Sequence, residues 1–398
     1  MNDVAIETSN AVDFRRDRRS FRTRTPLVAR TDSRVAHNSF RLDFPHRSQH
    51  QAGLMARAVK RRTIGLVIVA CLTIVPNLAA QTSTRVVHVG YFPNITHSQA
   101  LIGKATGKFD QALAPSAKVE WKEFNAGPSV VEALFAGALD IAYIGPNPTI
   151  AGYTRSQGAA LRVIAGATSG GAGLVVRPAS GINGVKDFHG KRIATPQLGN
   201  TQDVALRAWL RAQGLSPREK GGDVQVIPIA NPDQLTLFRK GEIDAAWAPE
   251  PWAARLVHEA GGRLFLDERD LWPNRQFVAA EVIVRTDFLK QYPDLVKTWI
   301  HTHVTLTNWI NKNQAEAKRI LNEEIKRETS KSFPAEVLDD AFSRLEVTYD
   351  PLRDSLLRDA QQAYELGFLG KQAPDLSGLV DLSILNEVLR EEKARPIP

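Results

Sequence analysis

The chain contains the segment FAGALDIAYIGPNPTI at Phe135–Ile150 and a related segment, FRKGEIDAAWAPEPWA, at Phe238–Ala253. When the two are aligned on Gly137 and Gly241, both read Gly-x-aliphatic-Asp-x-Ala-aromatic followed by Pro-x-Pro, with one residue fewer in the second copy. A short apolar run that ends in a proline turn is typical of a buried strand followed by a loop. The repeat therefore predicts two lobes of similar internal layout, each with a strand that ends in an elbow.

Strand and helix patterns alternate around both copies. Alternating β-branched residues predict strands at Arg85–Phe92 and Leu161–Thr168, and Gly107 is placed to end the first helix. Because strands that alternate with helices of about ten residues form βαβ crossovers, we expect an α/β fold with two mixed, largely parallel sheets flanked by helices. From Thr286 onward the pattern predicts helices only, and we expect this C-terminal part to pack on the first lobe.

The N-terminal part of the chain differs from the rest. Residues 1–54 hold 10 Arg, no Lys and 6 acidic residues without a regular apolar period, which is typical of a disordered leader or a misassigned start. Met55 opens the segment MARAVKRRTIGLVIVACLTIVPNLAAQTS, in which basic residues precede an apolar run that ends in small residues at Ala79 and Ala80. This pattern predicts a secretory signal over residues 55–80 and a periplasmic or otherwise extracytoplasmic protein.

Two other roles for this segment are weighed against cleavage. Pro76 and Asn77 interrupt the apolar run, which makes it too short for a transmembrane helix. The sequence IVAC at Ile68–Cys71 resembles a lipoprotein processing box, so a lipid anchor at Cys71 is an open alternative. After the signal, we expect the first part of lobe 1 at residues 85–175, lobe 2 at 176–277 and a return to lobe 1 at 278–398.

Charge and cysteine content narrow the function classes. The total net charge is +8, but residues 1–54 and 55–80 together carry this excess, so the remaining 318 residues are close to neutral. Nucleic-acid binding requires a basic footprint on the folded domain and is not expected. Cys71 is the only cysteine, so the chain after residue 80 has neither disulfides nor thiolate chemistry.

Six segments in this order resemble the substrate-binding subunits of ABC importers for aliphatic sulfonates, taurine and nitrate, over about residues 85–300: VGYFPNITHSQALIG, FNAGPSVVEAL, IAYIGPNPTI, GATSGGAGLVVR, ATPQLGNTQDVALRAWL and AAWAPEPWA. The resemblance implies a two-lobed periplasmic binding protein of the type II clamshell kind, acting as a monomer. Such a protein closes on a small organic anion and delivers it to a membrane permease that works with an ATPase subunit. The aliphatic sulfonate branch is the most similar.

Polar or glycine-rich elbows follow several of the predicted strands. In open α/β sheets ligands bind at the carboxyl ends of strands, where helix N-termini present free N–H groups, so we expect the two repeated elbows to face each other across a cleft. A sulfonate needs hydrogen-bond donors, which the side chains at these elbows can supply. For any single candidate, helix capping is an alternative role to ligand binding. The candidate ligand residues are Thr96, His97, Ser129, Gly145, Asn147, Ser169, Gly170, Asn200, Thr201, Glu250 and Trp252.

Two members of this set have specific alternatives. Trp252 is expected beside an apolar ligand tail. Glu250 would repel an anion, so it is expected to cap the following helix or to accept a bond from an amine or an arginine. His301 and His303 are two residues apart on a predicted helix and do not share a face, so neither a metal site nor a cofactor is expected.

Other functions remain as alternatives. Nitrate, bicarbonate, taurine or a pyrimidine could replace the sulfonate as cargo, and a ligand-sensing domain would have the same sequence features. An enzyme of thiamine metabolism on the same fold is a further alternative, but the related enzymes use cysteine. The chain after residue 80 has none, and it contains no Gly-x-Ser-x-Gly elbow, no HExxH and no P-loop. Catalysis is therefore not expected.

Overall fold

The structure is a computed structural model and describes residues 84–398. The predicted leader (1–54), the predicted signal (55–80) and the lipid-anchor candidate Cys71 lie outside the described residues. Among the described helices, none combines the length and the apolar character that crossing a membrane requires.

Residues 84–398 form eleven strands and thirteen α-helices. The strands are β1 Arg85–Tyr91, β2 Ala117–Glu123, β3 Ile141–Ile144, β4 Leu161–Gly170, β5 Ala172–Val176, β6 Arg192–Thr195, β7 Gln225–Pro228, β8 Ala245–Pro249, β9 Arg263–Asp267, β10 Val278–Arg285 and β11 Leu345–Val347. The helices are α1 Ser98–Thr106, α2 Lys108–Leu113, α3 Gly127–Phe135, α4 Pro146–Arg155, α5 Thr201–Ala212, α6 Asn231–Lys240, α7 Trp252–His258, α8 Thr286–Gln291, α9 Pro293–Lys312, α10 Gln314–Thr329, α11 Ala335–Ser343, α12 Arg353–Glu365 and α13 Ser383–Glu391.

The strands form two separate sheets, which confirms the expected two-lobed α/β architecture. The first sheet has the order β11-β4-β10-β3-β1-β2 and the second has the order β7-β6-β8-β5-β9. Strands β3 and β8, which come from the two copies of the sequence repeat, both lie inside their sheets. Each is parallel to a neighbour on one side and antiparallel to a neighbour on the other.

Both sheets are mixed, and the antiparallel share is larger than strand–helix alternation alone indicates. Helical crossovers give the parallel pairs β1–β2, β1–β3, β6–β7 and β6–β8. Four antiparallel pairs arise because β5 and β10, the strands that follow each passage between the lobes, enter the interior of their sheets in the opposite direction. The fifth is the edge pair β11–β4. A single sequence gives no local signal for this long-range insertion.

The chain passes between the lobes twice. The first passage lies at Gly170 and Gly171, whose φ angles of 73° and 85° are in the left-handed region that favours glycine. A Cβ atom at Gly170 would also lie 2.6 Å from the carbonyl oxygen of Arg344. The second passage is the segment 268–277 between β9 and β10. We therefore propose lobe boundaries at Gly171 and within 268–277, close to the boundaries at 175 and 277 inferred from the sequence.

Apolar side chains cover both faces of each sheet. In lobe 2, Trp247 of β8 packs with Trp209 of α5 on one face, while Phe238 of α6 packs with neighbouring alanines on the other. In lobe 1, Trp299 of α9 stacks on Phe109 with ring centres 3.8 Å apart. The C-terminal helices thus pack on lobe 1, as expected. The prediction of helices only after Thr286 was wrong in one place, because β11 pairs with β4 at the sheet edge.

Candidate functional site

A small cavity lies between the two lobes at the carboxyl ends of the strands. Its volume is about 30 Å³, far below the roughly 300 to 1,000 Å³ of pockets that take drug-sized molecules. Most of its lining residues come from the segments that follow β1, β2, β3, β6 and β7, joined by the last residue of β8 and the second residue of β10. The lining residues are Phe92, Asn94, Thr96, His97, Asn125, Ala126, Gly127, Gly145, Pro148, Pro196, Asn200, Thr201, Gln202, Asn231, Pro249 and Ala279. The cavity therefore occupies the position in which open α/β sheets bind ligands.

Four helices begin at the cavity wall. Gly127 is the first residue of α3, Gly145 precedes α4, Thr201 is the first residue of α5 and Asn231 is the first residue of α6. The first N–H groups of a helix have no partner inside the helix, and each N-terminus carries about half a positive charge. Four such ends around one small space make it favourable for an anion.

The cavity lining carries no formal charge. No Asp, Glu, Lys or Arg occurs among the lining residues of the described chain. The polar side chains are hydroxyls, amides and one imidazole, contributed by Asn94, Thr96, His97, Asn125, Asn200, Thr201, Gln202 and Asn231. An anion here would be held by hydrogen bonds and helix dipoles rather than by a lysine or arginine.

His97 is a neutral donor at this wall. Its Nδ1 atom accepts a hydrogen bond of 3.1 Å from the backbone N–H of Phe92, so the ring proton resides on Nε2. Burial lowers the pKa of His97 to about 3, and the ring stacks on Phe92 at 4.5 Å between centroids. Nε2 has no recorded hydrogen-bond partner among residues 84–398, which leaves an N–H group free to bind a ligand.

Asn200 precedes α5 and Thr201 is its first residue. Helix capping and ligand binding were both considered for these residues, and their contacts differ. The Oδ1 atom of Asn200 accepts a hydrogen bond of 2.9 Å from the backbone N–H of Asp203, which makes Asn200 the helix cap. The hydroxyl of Thr201 is buried and has no hydrogen-bond partner in the described structure. Buried polar groups are usually paired, so this hydroxyl is an open position for a ligand.

The two lobes touch around the cavity. An added Cβ atom at Gly145 would lie 2.3 Å from the Oγ1 atom of Thr201, so the backbone of lobe 1 directly faces a side chain of lobe 2. The indole N–H of Trp252 donates a hydrogen bond of 2.9 Å to Oδ1 of Asn94 across the same cleft. The structure therefore represents a cleft whose lobes are in contact beside the cavity.

The structure brings five of the eleven candidate residues to the cavity: Thr96, His97, Gly145, Asn200 and Thr201. Four others lie elsewhere in lobe 1. Ser129 is exposed on α3, and Asn147 is buried with its Nδ2 atom 3.5 Å from Oδ1 of Asp359. Ser169 pairs with β10 and β11 within the sheet, and the N–H of Gly170 donates to the carbonyl of Phe277.

Glu250 and Trp252 in the second elbow also lie outside the cavity lining. One carboxylate oxygen of Glu250 accepts a hydrogen bond of 3.0 Å from the backbone N–H of Ala254, and the other accepts one of 2.6 Å from Nε of Arg344. Glu250 thus makes both of the contacts that were considered for it, one with the start of the following helix and one with an arginine. Of the second elbow, Pro249 alone is among the cavity-lining residues, whereas the first elbow contributes Gly145 and Pro148, so the two elbows meet at the same cavity but contribute unequally to it.

Asn231 is a cavity residue that the sequence reasoning did not include. It follows β7, and its side-chain oxygen is buried without a hydrogen-bond partner in residues 84–398. The sequence signal is the pair Asn231–Pro232 at a helix start after a predicted strand, and the same pair occurs as Asn147–Pro148 in the first turn of α4.

Two buried carboxyl groups near the first elbow, those of Glu281 and Asp359, are kept largely neutral at pH 7. Glu281 of β10 lies opposite Ile144, one residue before Gly145, and burial raises its pKa to about 8. Burial also raises the pKa of Glu268 to about 7 and that of Asp359 well above its usual range. Glu281 and Asp359 therefore add little negative charge near the anion site at neutral pH. Over the described residues, no group of three or more His, Cys, Asp or Glu side chains could hold a metal ion.

Known proteins resemble this chain in sequence and in fold. The "Putative aliphatic sulfonates-binding protein" of Bacillus subtilis is 26% identical over 305 residues, which covers 75% of this chain and 86% of that protein. The "Taurine-binding periplasmic protein" of Escherichia coli is 28% identical over 202 residues, covering 50% of this chain and 59% of that protein.

A solved structure extends the likeness to the fold. The alkanesulfonate-binding protein SsuA from Xanthomonas axonopodis pv. citri, bound to MOPS, superposes with a TM-score of 0.62 at 22% identity, over 73% of this chain and 96% of that chain. The expected fold of a two-lobed periplasmic binding protein is thus confirmed. The sequence profile of the NMT1-like family matches residues 80–323. The chain therefore belongs to the NMT1-like family.

Proposed function

We propose that this protein is the extracytoplasmic solute-binding subunit of an ABC importer, which binds a small sulfonate-type anion in the interlobe cavity and delivers it to a membrane permease. The observation that carries the proposal is the cavity itself. Four helix N-termini and a set of uncharged donors surround a small space, and no lysine or arginine of residues 84–398 lines it. This arrangement suits a compact anion with several acceptor oxygens.

The donors match the chemistry of a sulfonate head group. A sulfonate has three acceptor oxygens and a spread negative charge, and it stays ionised at any physiological pH. The N–H of His97, the hydroxyl of Thr201 and the first N–H groups of α5 can each donate to a separate oxygen. Hydrogen bonds to a charged group contribute about 1.5 to 3 kcal/mol each, so three or four could support micromolar binding after ordering costs.

Closure of the lobes explains how binding becomes a signal for delivery. Donors from both lobes meet in the cavity, so a bound anion stabilises the closed arrangement that holds Gly145 against Thr201. A permease that recognises the closed form would accept loaded protein in preference to empty protein. We place this step outside the cytoplasm, after removal of the segment 55–80, with a lipid anchor at Cys71 as the alternative.

The relatives support a binding role rather than catalysis. The Bacillus subtilis and Escherichia coli relatives are both named as binding proteins, one for aliphatic sulfonates and one for taurine. The cavity residues include no acid–base pair and no activated nucleophile, since His97 is the one titratable lining group of the described chain and its pKa is lowered. We therefore propose a carrier, acting as a monomer with a permease and its ATPase subunit.

Isothermal titration and thermal shift of the purified protein test the proposal. The ligands are methanesulfonate, taurine, sulfate, nitrate, bicarbonate and a pyrimidine, and a ligand that binds the folded state raises the melting temperature. We expect methanesulfonate or taurine to bind with a Kd in the micromolar range. Binding of nitrate or bicarbonate alone would keep the importer role and replace the cargo, and binding of a pyrimidine alone would contradict the anion site.

The carrier and sensor roles are separated by a second measurement. Membrane vesicles that contain the permease and ATPase of a sulfonate importer are expected to take up labelled sulfonate only when the binding protein is added. ATP hydrolysis by the same vesicles is expected to rise with loaded protein. Uptake that is independent of the protein, despite tight ligand binding, would favour the sensor role.

A further inference from the structure

One hydrogen bond joins the two lobes at the edge of the cavity. The indole N–H of Trp252, the first residue of α7 in lobe 2, donates over 2.9 Å to Oδ1 of Asn94, which follows β1 in lobe 1. Both side chains are buried, and Asn94 lines the cavity whereas Trp252 does not. The bond therefore connects lobe 2 to a part of the cavity wall that belongs to lobe 1.

The chemistry of this bond fixes the orientation of the Asn94 amide. An indole N–H can only donate, so the amide atom that faces it is the oxygen and the amide nitrogen points the other way. No acceptor for this nitrogen is recorded among residues 84–398. Asn94 precedes the short turn at Ile95–His97, but its side chain makes no capping bond there. The two N–H groups of the amide are thus available to a ligand.

Two other cavity residues follow the same pattern. Nδ1 of His97 accepts from the backbone N–H of Phe92, which leaves the Nε2 proton free. Oε1 of Gln202 accepts a hydrogen bond of 3.0 Å from Nδ2 of Asn200, which leaves the amide nitrogen of Gln202 without a recorded partner in the described chain. In each residue a protein donor occupies the acceptor atom and the donor atom remains, which suits an anionic ligand.

The ring of Trp252 is held in place by its other neighbours. The guanidinium of Arg255 lies 4.7 Å from the ring centre of Trp252 and 5.1 Å from that of Phe333. These three side chains line a second space of about 240 Å³ beside the cavity. Because the ring is fixed by this packing, its N–H group can orient the amide of Asn94 rather than follow it.

We infer that Trp252 is a positioning residue of lobe 2, which holds the amide of Asn94 with its N–H groups toward the bound anion and couples anion binding to contact between the lobes. The inference rests on the proposed function and adds how the second elbow acts on the site without lining it through its tryptophan. An anion that accepts from the amide nitrogen polarises the amide, so its oxygen becomes a better acceptor for Trp252. Anion binding and the bond between the lobes therefore strengthen each other.

The variant Trp252→Phe tests the inference, because it removes the donor and keeps an aromatic ring. We expect the Kd for methanesulfonate, measured by calorimetry, to rise about tenfold, since the amide loses its orientation. The matched control is Trp309→Phe, which changes a partly buried tryptophan of α9 that lines neither space and should leave the Kd unchanged. An unchanged Kd in a folded Trp252→Phe protein would overturn the inference.

A double-mutant cycle separates positioning from general support of the fold. The Asn94→Ala protein has no amide to orient, so adding Trp252→Phe to it should change the Kd less than about twofold. A loss of about tenfold in both backgrounds would show that Trp252 acts independently of Asn94, and the inference would be wrong. Asn94→Asp keeps an acceptor for Trp252 but replaces the N–H donors with a carboxylate, so we expect binding to weaken at least about a hundredfold.

Hydrogen exchange of the indole N–H gives a readout that needs no variant. In ¹⁵N-labelled protein we expect the indole signal of Trp252 to exchange about tenfold more slowly with saturating methanesulfonate than without it, because the anion strengthens the bond between the lobes. The indole signal of Trp309 should not respond. An exchange rate of Trp252 that the anion leaves unchanged would overturn the inference, and this measurement decides if Trp252→Phe fails to fold.

The outcome for the wild-type protein keeps this inference distinct from the proposed function. If nitrate or bicarbonate binds in place of methanesulfonate, the same measurements use that anion. Anion binding without any effect of Trp252→Phe would leave the proposed function standing and remove the positioning role. Failure of every anion to bind would overturn the proposed function, and this inference with it.

Discussion

The two copies of the sequence repeat form strands of the same kind and then end in elbows with opposite roles. The first elbow, Gly145–Pro148, opens onto the cavity through Gly145 and Pro148. The second elbow, Pro249–Trp252, contributes Pro249 alone to the cavity, and its polar group is turned into the protein. Similar sequence in the two lobes therefore reports a shared strand geometry and does not report a shared ligand role.

The difference is traced to two local changes. Between the aromatic residue and the first proline, the first copy has Ile144 and Gly145, whereas the second has Ala248 alone. The first copy thus places a residue without a side chain at the start of α4. The second copy has Glu250 between its two prolines, and this carboxylate binds the first turn of α7 that a ligand would otherwise use.

Lobe 2 supplies its donors to the cavity from different helices. Thr201 at the start of α5 and Asn231 at the start of α6 line the cavity, where the repeat had predicted residues of the second elbow. The cavity is therefore asymmetric, although each lobe contributes two helix N-termini. The comparison teaches that one additional residue before the first proline, and one carboxylate between the two prolines, decide whether an elbow lines the cavity or supports the fold.

The largest effect is expected when the second elbow loses its carboxylate. Glu250→Ala leaves the buried guanidinium of Arg344 with one partner fewer and uncaps α7, so we expect the free energy of unfolding to fall by about 3 to 5 kcal/mol. Urea unfolding of the ligand-free protein measures it. Glu259→Ala, which removes a partly exposed carboxylate beside the same helix, is expected to cost about 1 kcal/mol or less. A stable Glu250→Ala protein with at least tenfold weaker ligand binding would make the second elbow a binding elbow after all.

The carboxyl group beside the first elbow is expected to respond to pH instead. Because the pKa of Glu281 is raised to about 8, the folded protein keeps a proton that the unfolded chain loses at pH values above about 4.5. Stability should therefore fall as the pH rises from about 4.5 to 8. Glu281→Gln removes this loss and is expected to stabilise the protein by roughly 2 to 4 kcal/mol at pH 8 and by less than about 1 kcal/mol at pH 5. Equal effects at both pH values, measured by urea unfolding, would contradict a neutral Glu281.

Filling the open position of the first elbow is expected to weaken binding. Gly145→Ala places a Cβ atom 2.3 Å from Oγ1 of Thr201, so the closed cleft must shift, and we expect a roughly tenfold to hundredfold higher Kd. The φ angle of −82° at Gly145 is ordinary for alanine, so the stability of the ligand-free protein should change little. Adding Thr201→Ala to Gly145→Ala removes the clashing hydroxyl, so Gly145→Ala should weaken binding less in the Thr201→Ala protein than in the wild type. Equal losses in both backgrounds would show that the lobes do not close at this point.

The smallest effect concerns the neutral donor of lobe 1. Since burial lowers the pKa of His97 to about 3, the ring is neutral from pH 5 to 8. We expect the Kd for methanesulfonate to change less than about threefold between pH 5 and pH 6, a range in which Glu281 and Glu268 keep their protons, as measured by calorimetry. An affinity that increases about tenfold as the pH falls through this range would show that His97 binds a proton together with the anion, and the uncharged description of the cavity would then be wrong.

Much of the fold follows from local signals in the sequence. Gly107 ends α1 in the left-handed conformation, and Asn200 caps α5, both as the residue types predict. The positions of Thr96, His97, Gly145, Asn200 and Thr201 at the cavity follow from one rule, that polar residues after parallel strands meet at the same edge of a sheet. These features depend on neighbours within a few residues along the chain.

The remaining features depend on contacts between distant segments. β11 is a strand of three residues whose pairing with β4 has no periodic signal of its own. Arg344, the residue that holds Glu250, is 94 positions away along the chain. Trp252 was expected beside a ligand tail, but only the folded chain shows Phe333 across the same space. Long-range partners of this kind are not encoded in local spacing.

The position of β10 has a consequence for how the protein is made. β10 lies between β3 and β4, which are neighbours in the sequence, and all of lobe 2 is synthesised before β10 appears. The sheet of lobe 1 therefore remains in two parts until residues 278–285 are available. Sheets that wait for distant strands fold slowly. If the chain is exported as an unfolded polypeptide, as proposed above, this delay would help to keep it unfolded, because the sheet of lobe 1 cannot be completed before residues 278–285 have crossed the membrane.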